Sequence, residues 1–168
     1  DCAQAHGAKY KNKYVGTLGD IGVFSFNVNK SIQTGEGGIC ITKDDDLAYR
    51  LQLIRNHGEA VVGNAGYENI VNIVGFNYRL TELQAAIARE QLKKMNGFNA
   101  IRLEYVDYLI DGLKDISFLT PLVSRQECHS TYYVMPIRFN EEIAGVTRNE
   151  FVMAVNSEGA AFFQGYVR

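Results

Sequence analysis

The sequence contains little proline and little cysteine. Two prolines stand beside 16 glycines in 168 residues, which excludes Pro-rich linkers and collagen-like chains. The three cysteines, Cys2, Cys40 and Cys128, are widely spaced and form no CxxC pair. An odd number at such spacing argues against a disulfide framework and a structural zinc site, and it favours a reducing compartment. We therefore expect a cytoplasmic protein that holds no metal.

A surplus of one charge and a long hydrophobic run are also lacking. The 17 basic and 19 acidic side chains give a net charge of −2, so nothing in the overall charge favours nucleic acid or an anionic membrane. No apolar run approaches the ~18 residues that a membrane span needs. Hydrophobic residues make up 46% of the chain, which is enough for a packed core and argues against disorder.

Strand-like and helix-like segments follow one another along the chain. Period-two alternation marks strands, spacing of three and four marks helices, and Thr81 followed by Gln84 is typical of a capping box. The patterns predict strands over 21–28 and 38–42, helices over 44–57, 81–95 and 98–113, a loop over 63–78, a strand over 131–139, a helix over 147–157 and a strand over 160–163. This order indicates an α/β class with a smaller second subdomain.

One lysine stands out from the rest of the chain. Lys30 follows a predicted strand and opens the loop SIQTGEGG, and loops at strand ends are where α/β proteins place ligands. A partly buried lysine has a larger share of free amine, which a Schiff base requires. Ser25, five residues earlier, can offer a hydroxyl to a phosphate. A single lysine in a polar loop is more often merely solvated, and TGEGG lacks the Walker pattern.

Four motifs in order change that interpretation. They are DCAQAHGA at the start, GTLGDIGVFSFNVNKSIQTGEGG, RNHG, and GFNYRLTELQAAIAREQLKK. Together they resemble the nucleotide-sugar aminotransferases of the DegT/StrS type, a pyridoxal-phosphate family of fold type I, over almost the whole chain. The resemblance implies part of a fold type I large domain over 1–95, a connecting helix over 96–115 and part of a smaller C-terminal α/β subdomain over 116–168.

The resemblance also implies roles for single residues. Lys30 matches the lysine that forms the internal aldimine with pyridoxal 5'-phosphate and then moves the proton. Asp1 matches the carboxylate that keeps the pyridine nitrogen protonated, so that the ring is an electron sink. Gln4 matches a residue beside the ring, and Ser25 matches a hydroxyl that holds the phosphate. Asn77 matches an asparagine that reaches the cofactor of a neighbouring subunit, which implies a homodimer with shared active sites.

Each of these positions has a plainer interpretation when taken alone. Asp1 is a loop carboxylate, Gln4 and Asn77 close turns, and Ser25 satisfies a backbone group. His57 lies at a predicted helix end, where a positive charge interacts favourably with the helix dipole. We favour this structural role over a contact with the substrate. For His129 and Arg79 two interpretations stay open. His129 lies near a family histidine that faces the sugar nucleotide, and Arg79 either binds an anion or braces its loop through an ion pair.

The implied reaction is a transamination with two half-reactions. An amino donor, most plausibly glutamate, charges the cofactor, and the amine then passes to a nucleotide-linked keto-sugar to make an amino sugar for a polysaccharide, a glycan or an antibiotic. A pyridoxamine-phosphate-dependent sugar dehydratase is the first alternative, although such relatives carry histidine in place of the lysine. The second is a truncated regulatory or interaction homologue.

Full-length relatives are more than twice as long as this chain, so the resemblance predicts a fragment that lacks the N-terminal half. The segments expected to be missing include earlier strands of the large domain and a phosphate-binding loop. We therefore expect the complete protein, and not the isolated chain, to be active.

Overall fold

The computed structural model describes residues 1–58 and 73–165. Contacts divide the chain into two compact units, Asp1–Leu103 with Ser124–Tyr133, and Glu104–Val123 with Val134–Arg168. The elements in chain order are β1 Lys9–Tyr10, β2 Lys13–Tyr14, β3 Gly22–Ser25, β4 Gly38–Ile41, α1 Asp45–Arg55, α2 Glu82–Leu113, β5 Leu119–Pro121, β6 Cys128–His129, β7 Ile137–Phe139, α3 Glu141–Ala144 and α4 Arg148–Ser157. The predicted boundaries after residues 95 and 115 stay a prediction.

Two small antiparallel sheets belong to the first unit. Strands β3 and β4 pair from Gly22 opposite Ile41 to Ser25 opposite Gly38, within the two predicted strands. The second sheet has the order β2-β1-β6. It lies partly in the first twenty residues, where the sequence patterns predicted no strand. Lys11 and Asn12 join β1 to β2 with φ angles of 47° and 63°, which suits a two-residue hairpin turn.

Local signals explain where α1 begins. The Asp44 carboxylate accepts a hydrogen bond of 3.0 Å from the backbone N–H of Leu47 and so caps the helix. Asp45 and Asp46 fill the first turn, where negative charge is favourable. The helix ends at Arg55, two residues before the predicted end, and His57 follows with a φ of 60°.

Helix α2 begins at the predicted capping box but does not end where the sequence suggested. The Gln84 N–H donates to the Thr81 hydroxyl at 3.2 Å, and the Gln84 side chain accepts from the Thr81 N–H at 3.1 Å. Helix α2 then continues for 32 residues, so the prediction of two helices over 81–95 and 98–113 was wrong. Gly97 weakens a helix by only ~1 kcal/mol, and the apolar spacing continues on both sides of it.

The second unit packs around aromatic rings. Phe118, Phe139 and Phe151 lie with ring centroids 4.8 to 5.8 Å apart, beside the antiparallel pair β5–β7. Strand β7 covers only the end of the predicted strand 131–139. The predicted strand 160–163 is absent from the described residues. The Asn156 side chain accepts a hydrogen bond from the N–H of Phe162 and donates one to its carbonyl. A strand needs those groups for its ladder.

A buried polar network joins three segments of the first unit. The Asn99 side chain on α2 donates to the carbonyl of His6 at 3.0 Å. Its oxygen accepts from Arg102 at 2.7 Å, and Arg102 also donates to the carbonyl of Thr131 at 3.3 Å. A Cβ on Gly7 would lie 2.7 Å from the Asn99 amide nitrogen, so the glycine permits this close approach. Within the described ranges, no helix is long and apolar enough to cross a bilayer.

We expect Asn99→Ala to lower the free energy of unfolding by about 2 kcal/mol, because it leaves a buried carbonyl and a guanidinium donor without their partner. Urea denaturation of the protein expressed from its complete reading frame measures the change. The matched control is Asn96→Ala, an exposed position on the same helix, which should change the value by less than about 0.5 kcal/mol. Equal effects of the two substitutions would contradict a structural role for the network.

Candidate active site

Ser25 is the last residue of β3 and lies at the start of the loop over 26–37, which is held by several hydrogen bonds. The Ser25 hydroxyl accepts from the N–H of Asn27 at 3.2 Å, so this serine presently serves the backbone. The N–H of Phe26 donates to the carbonyl of Gly37 at 2.8 Å, and the N–H of Thr34 donates to the carbonyl of Phe26 at 2.9 Å. The two ends of the loop are therefore held together at its base.

Lys30 lies at the tip of this loop. Its N–H donates to the carbonyl of Asn27 at 2.9 Å, and the Asn27 side chain binds the carboxylate of Glu36 at 2.7 Å. The Lys30 Nζ lies 4.9 Å from the ring centroid of Tyr133. Among the described residues Lys30 makes no ion pair, so no carboxylate there neutralises the amine.

A buried histidine lies beside Lys30. His6 is 3% exposed, with its ring centroid 5.4 Å from that of Phe24 and 6.3 Å from that of Phe26. Burial lowers the pKa of His6 below its usual 6.5. The backbone of Ser25 raises this pKa in part, and the positive charge of Lys30 lowers it further. In the part of the chain that the structure describes, neither ring nitrogen forms a hydrogen bond of ordinary geometry, so the contact with the Ser25 backbone is a weak one.

Asp1 and Gln4 lie on the segment that runs beside β3. The N–H of Cys2 donates to the carbonyl of Val23 at 2.8 Å, which pins the segment to the strand. The Asp1 carboxylate accepts from the N–H of Ala3 at 2.9 Å, and both Asp1 and Gln4 are exposed. The structure thus places the segment near the strand that carries Ser25, while the cofactor roles of Asp1 and Gln4 stay predictions.

Asn77 and Arg79 lie at the end of α1. Asn77 forms an antiparallel bridge with Asn56, and the Arg79 guanidinium donates to the side chain of Asn56 at 2.7 Å. Arg79 therefore braces its loop through an amide, and it makes no ion pair with any of the described residues. Neither Asn77 nor Arg79 hydrogen-bonds Lys30 or Ser25. The predicted loop over 63–78 lies largely outside the described residues, which resume at 73.

The start of α2 holds the glycine-rich end of the Lys30 loop. The Gln84 side chain donates to the carbonyl of Glu36 at 2.9 Å, and the Thr34 hydroxyl donates to the same carbonyl at 2.8 Å. A Cβ on Gly37 would lie 2.8 Å from a methyl carbon of Leu80. Gly37 therefore allows a close approach of the segment just before α2, which is a packing reason for a glycine at this position of TGEGG.

His129 is exposed on β6, opposite Lys9 in the sheet register. The residue of this segment that reaches Lys30 is Tyr133, which the sequence did not single out. His6 was also missed, although it lies inside the motif DCAQAHGA. A histidine between small residues was the available signal for His6. No local pattern marks Tyr133, because its contact joins distant parts of the chain.

The chain matches the DegT/DnrJ/EryC1/StrS aminotransferase family over residues 1–167. It is 37% identical to GDP-perosamine synthase of Caulobacter vibrioides over 161 residues, which cover 95% of this chain and 42% of that protein. It is 33% identical to L-glutamine:scyllo-inosose aminotransferase of Streptomyces griseus over 165 residues, which cover 94% of this chain and 39% of that protein. The chain thus spans about two fifths of the length of these relatives.

Solved structures show the same relationship. The Escherichia coli GDP-4-keto-6-deoxy-D-mannose-3-dehydratase with bound hydrated pyridoxal phosphate has a TM-score of 0.78 at 31% identity, covering 92% of this chain and 42% of that one. The aminotransferase from Psychrobacter cryohalolentis has a TM-score of 0.85 at 30% identity, covering 98% of this chain and 46% of that one. The aminotransferase TlmJ from Streptoalloteichus hindustanus has a TM-score of 0.82 at 26% identity, covering 99% of this chain and 43% of that one. These comparisons confirm the predicted fold class, α/β and part of a fold type I pyridoxal-phosphate-dependent transferase.

The lowered pKa of His6 predicts a dependence of stability on pH. Below about pH 6.5 this histidine binds a proton more readily in the unfolded chain than in the folded chain. Its contribution to the free energy of unfolding is therefore fully present above that pH and is lost as the pH falls toward the folded pKa. Between about pH 7.5 and pH 5, the urea midpoint of the wild type should therefore fall by more than the urea midpoint of His6→Gln. Parallel curves would show that His6 titrates alike in both states.

Proposed function

The chain belongs to the DegT/DnrJ/EryC1/StrS aminotransferase family, and from that premise we propose that it is part of a pyridoxal-phosphate-dependent sugar aminotransferase. The observation that supports this most is the setting of Lys30. Its amine lies at the tip of a braced loop, faces an aromatic ring and has a buried histidine nearby. No carboxylate among the described residues pairs with it, so the amine is free to react with an aldehyde.

The residues of the site fit the cofactor. Among the described residues the Ser25 hydroxyl accepts one hydrogen bond, from a backbone N–H, so its own proton can be donated to a phosphate oxygen. The Ser31 hydroxyl, next to Lys30, is buried without a partner in the described part of the chain, and a buried unpaired hydroxyl calls for a ligand or water. Asp1 supplies a carboxylate for a ring nitrogen, and Gln4 lies on the same segment.

Each residue has a defined task in this proposal. Pyridoxal phosphate, when bound, supplies an electron sink for the carbanion chemistry. Lys30 would hold it covalently and, once released, would act as the base that takes and returns a proton. Asp1 keeps the ring nitrogen protonated, Ser25 holds the phosphate, and Asn77 reaches the cofactor of a second subunit in a homodimer. Burial keeps His6 neutral, so it adds no charge beside the Lys30 amine.

For the substrate we propose a nucleotide-linked keto-sugar, with glutamate as the amino donor. The product would be an amino sugar for a polysaccharide, a glycan or an antibiotic. The similarity to a GDP-perosamine synthase supports a nucleotide sugar. The similarity to an L-glutamine:scyllo-inosose aminotransferase makes a keto-cyclitol, with glutamine as donor, the main competing pair of substrates. His129 and Arg79 remain the candidates for substrate contacts outside the Lys30 loop.

A sugar dehydratase on the same scaffold is a second candidate, because one of the similar solved structures is a dehydratase. The resemblance implies that such dehydratases carry histidine in place of this lysine. The presence of Lys30 therefore favours transamination. A non-catalytic regulatory homologue would not need the free amine or the buried hydroxyl beside it.

We propose a cytoplasmic location on the basis of the cysteines. Cys2, Cys40 and Cys128 are all free thiols, and Cys40 is exposed. Free exposed thiols persist in reducing compartments, which supports a cytoplasmic enzyme. Nucleotide-activated sugars would be aminated there before their transfer.

The first test maps the site of covalent attachment. We expect the protein expressed from its complete reading frame, incubated with pyridoxal phosphate and reduced with borohydride, to carry a phosphopyridoxyl group on Lys30 in peptide mass spectra. Lys30→Gln should remove the adduct, and Lys43→Gln, at an exposed lysine of the same unit, should leave it in place. A folded protein that gives no adduct on Lys30 would refute the aminotransferase mechanism.

The second test separates the candidate reactions. We expect the loaded enzyme to convert glutamate to 2-oxoglutarate in a single turnover without any sugar, because the donor half-reaction needs only Lys30 and the cofactor. Lys30→Gln should slow this turnover by at least about 100-fold, the usual contribution of a positioned base. Turnover of glutamine to 2-oxoglutaramate, with no turnover of glutamate, would redirect the proposal to that donor. Sugar dehydration without any donor turnover would favour the dehydratase.

A further inference from the structure

A single segment brings Tyr133 to Lys30. Residues Ser124–Tyr133 belong to the first unit, although the chain on either side of them belongs to the second. Within this segment β6 pairs with β1, and the N–H of Lys11 donates to the carbonyl of Glu127 at 2.8 Å. The segment is therefore attached to the first unit by its own backbone before it reaches the lysine.

The last turn of the segment is strained and held by several bonds. Tyr132 has a φ of 43°, a conformation that costs a bulky residue free energy and persists only where the surroundings enforce it. Its N–H donates to the Ser130 hydroxyl at 3.1 Å, and its phenol oxygen accepts from the N–H of Ser124 at 3.1 Å. Thr131, which is 2% exposed, is fixed through its carbonyl by Arg102.

This strained turn determines where Tyr133 lies. The phenol oxygen of Tyr132 is bound to Ser124. The ring centroid of the next residue, Tyr133, lies 4.9 Å from the Lys30 Nζ. An ammonium within about 6 Å of a ring centroid is attracted by the ring quadrupole, and more strongly when it is partly desolvated. Lys30 and Tyr133 are both half-buried, so the contact is shielded from water on part of its surface.

We propose that Tyr133 is a positioning residue for Lys30. Its aromatic ring holds the ammonium group that Lys30 carries after it has taken a proton and while it is not bonded to the cofactor. This inference rests on the proposed function, in which Lys30 is released in each half-reaction. The strained turn then has a task, because it keeps the ring within reach of the released amine. Without the ring, the long and flexible side chain of Lys30 would sample positions away from the cofactor and would have to return before it could react again.

Competitive labelling with acetic anhydride tests the contact in the cofactor-free protein expressed from its complete reading frame. Only the free amine reacts, so a ring that stabilises the ammonium protects it. We expect Tyr133→Leu to raise the labelling rate of Lys30 about two- to fivefold, relative to Lys43 as an internal reference. Tyr133→Phe keeps the ring and should label Lys30 at the wild-type rate, and Tyr133→Trp should label it no faster.

Tyr14→Leu is the matched control. Its ring lies 4.6 Å from the Nζ of Lys9, an equivalent pair on the β1–β2 hairpin, and its loss should leave the labelling of Lys30 unchanged. If Tyr133→Leu unfolds the protein, all lysines will label faster, and the Phe and Trp variants then decide. Lys30 labelling that is unaffected in a folded Leu variant, or that rises in the Phe or Trp variant, would overturn the proposal.

The outcome is independent of the borohydride test. Protection of Lys30 that depends on the Tyr133 ring, together with no cofactor adduct on Lys30, would support the contact and reject the proposed function. An adduct on Lys30 without any protection by Tyr133 would support the function and reject the role of the ring.

Discussion

The amide of Asn99 holds together the parts of the first unit that surround Lys30. It donates to the carbonyl of His6 and accepts from Arg102, which in turn binds the carbonyl of Thr131. A buried amide without partners is costly, so these segments keep one arrangement and not several. The N-terminal segment and the turn before Tyr133 are thereby both fixed to α2, and the two neighbours of Lys30 come from these two segments.

Local patterns predicted those elements whose causes lie within a few residues. The Asp44 cap, the Thr81 capping box and the alternation over β3 are such causes, and the structure has an element at each. The helix break near Gly97 was wrong, because one glycine costs less than the continuing apolar pattern of α2 gains. The strand over 160–163 failed for a tertiary reason, since the Asn156 side chain takes the backbone groups that a sheet would use.

The site was predictable only in part. The sequence motif singled out Lys30 and Ser25 as candidates. The structure places both on the hairpin that β3 and β4 define, while their roles stay predictions. Tyr133 was not predictable, since its position depends on a positive φ at Tyr132 and on a segment that joins the unit from a distant part of the chain. His6 was visible as a residue type, but its burial and its effect beside Lys30 required the packing of Phe24 and Phe26.

Helix α2 also limits how the gene can change. Gln84 holds the Lys30 loop and Asn99 holds the N-terminal segment, from points about 22 Å apart along the axis at ~1.5 Å per residue. Insertion or deletion of one residue between them would rotate Asn99 by about 100° relative to Gln84, so one of the two bonds would be lost. Length variation among relatives should therefore be absent from this stretch and concentrated in the loops.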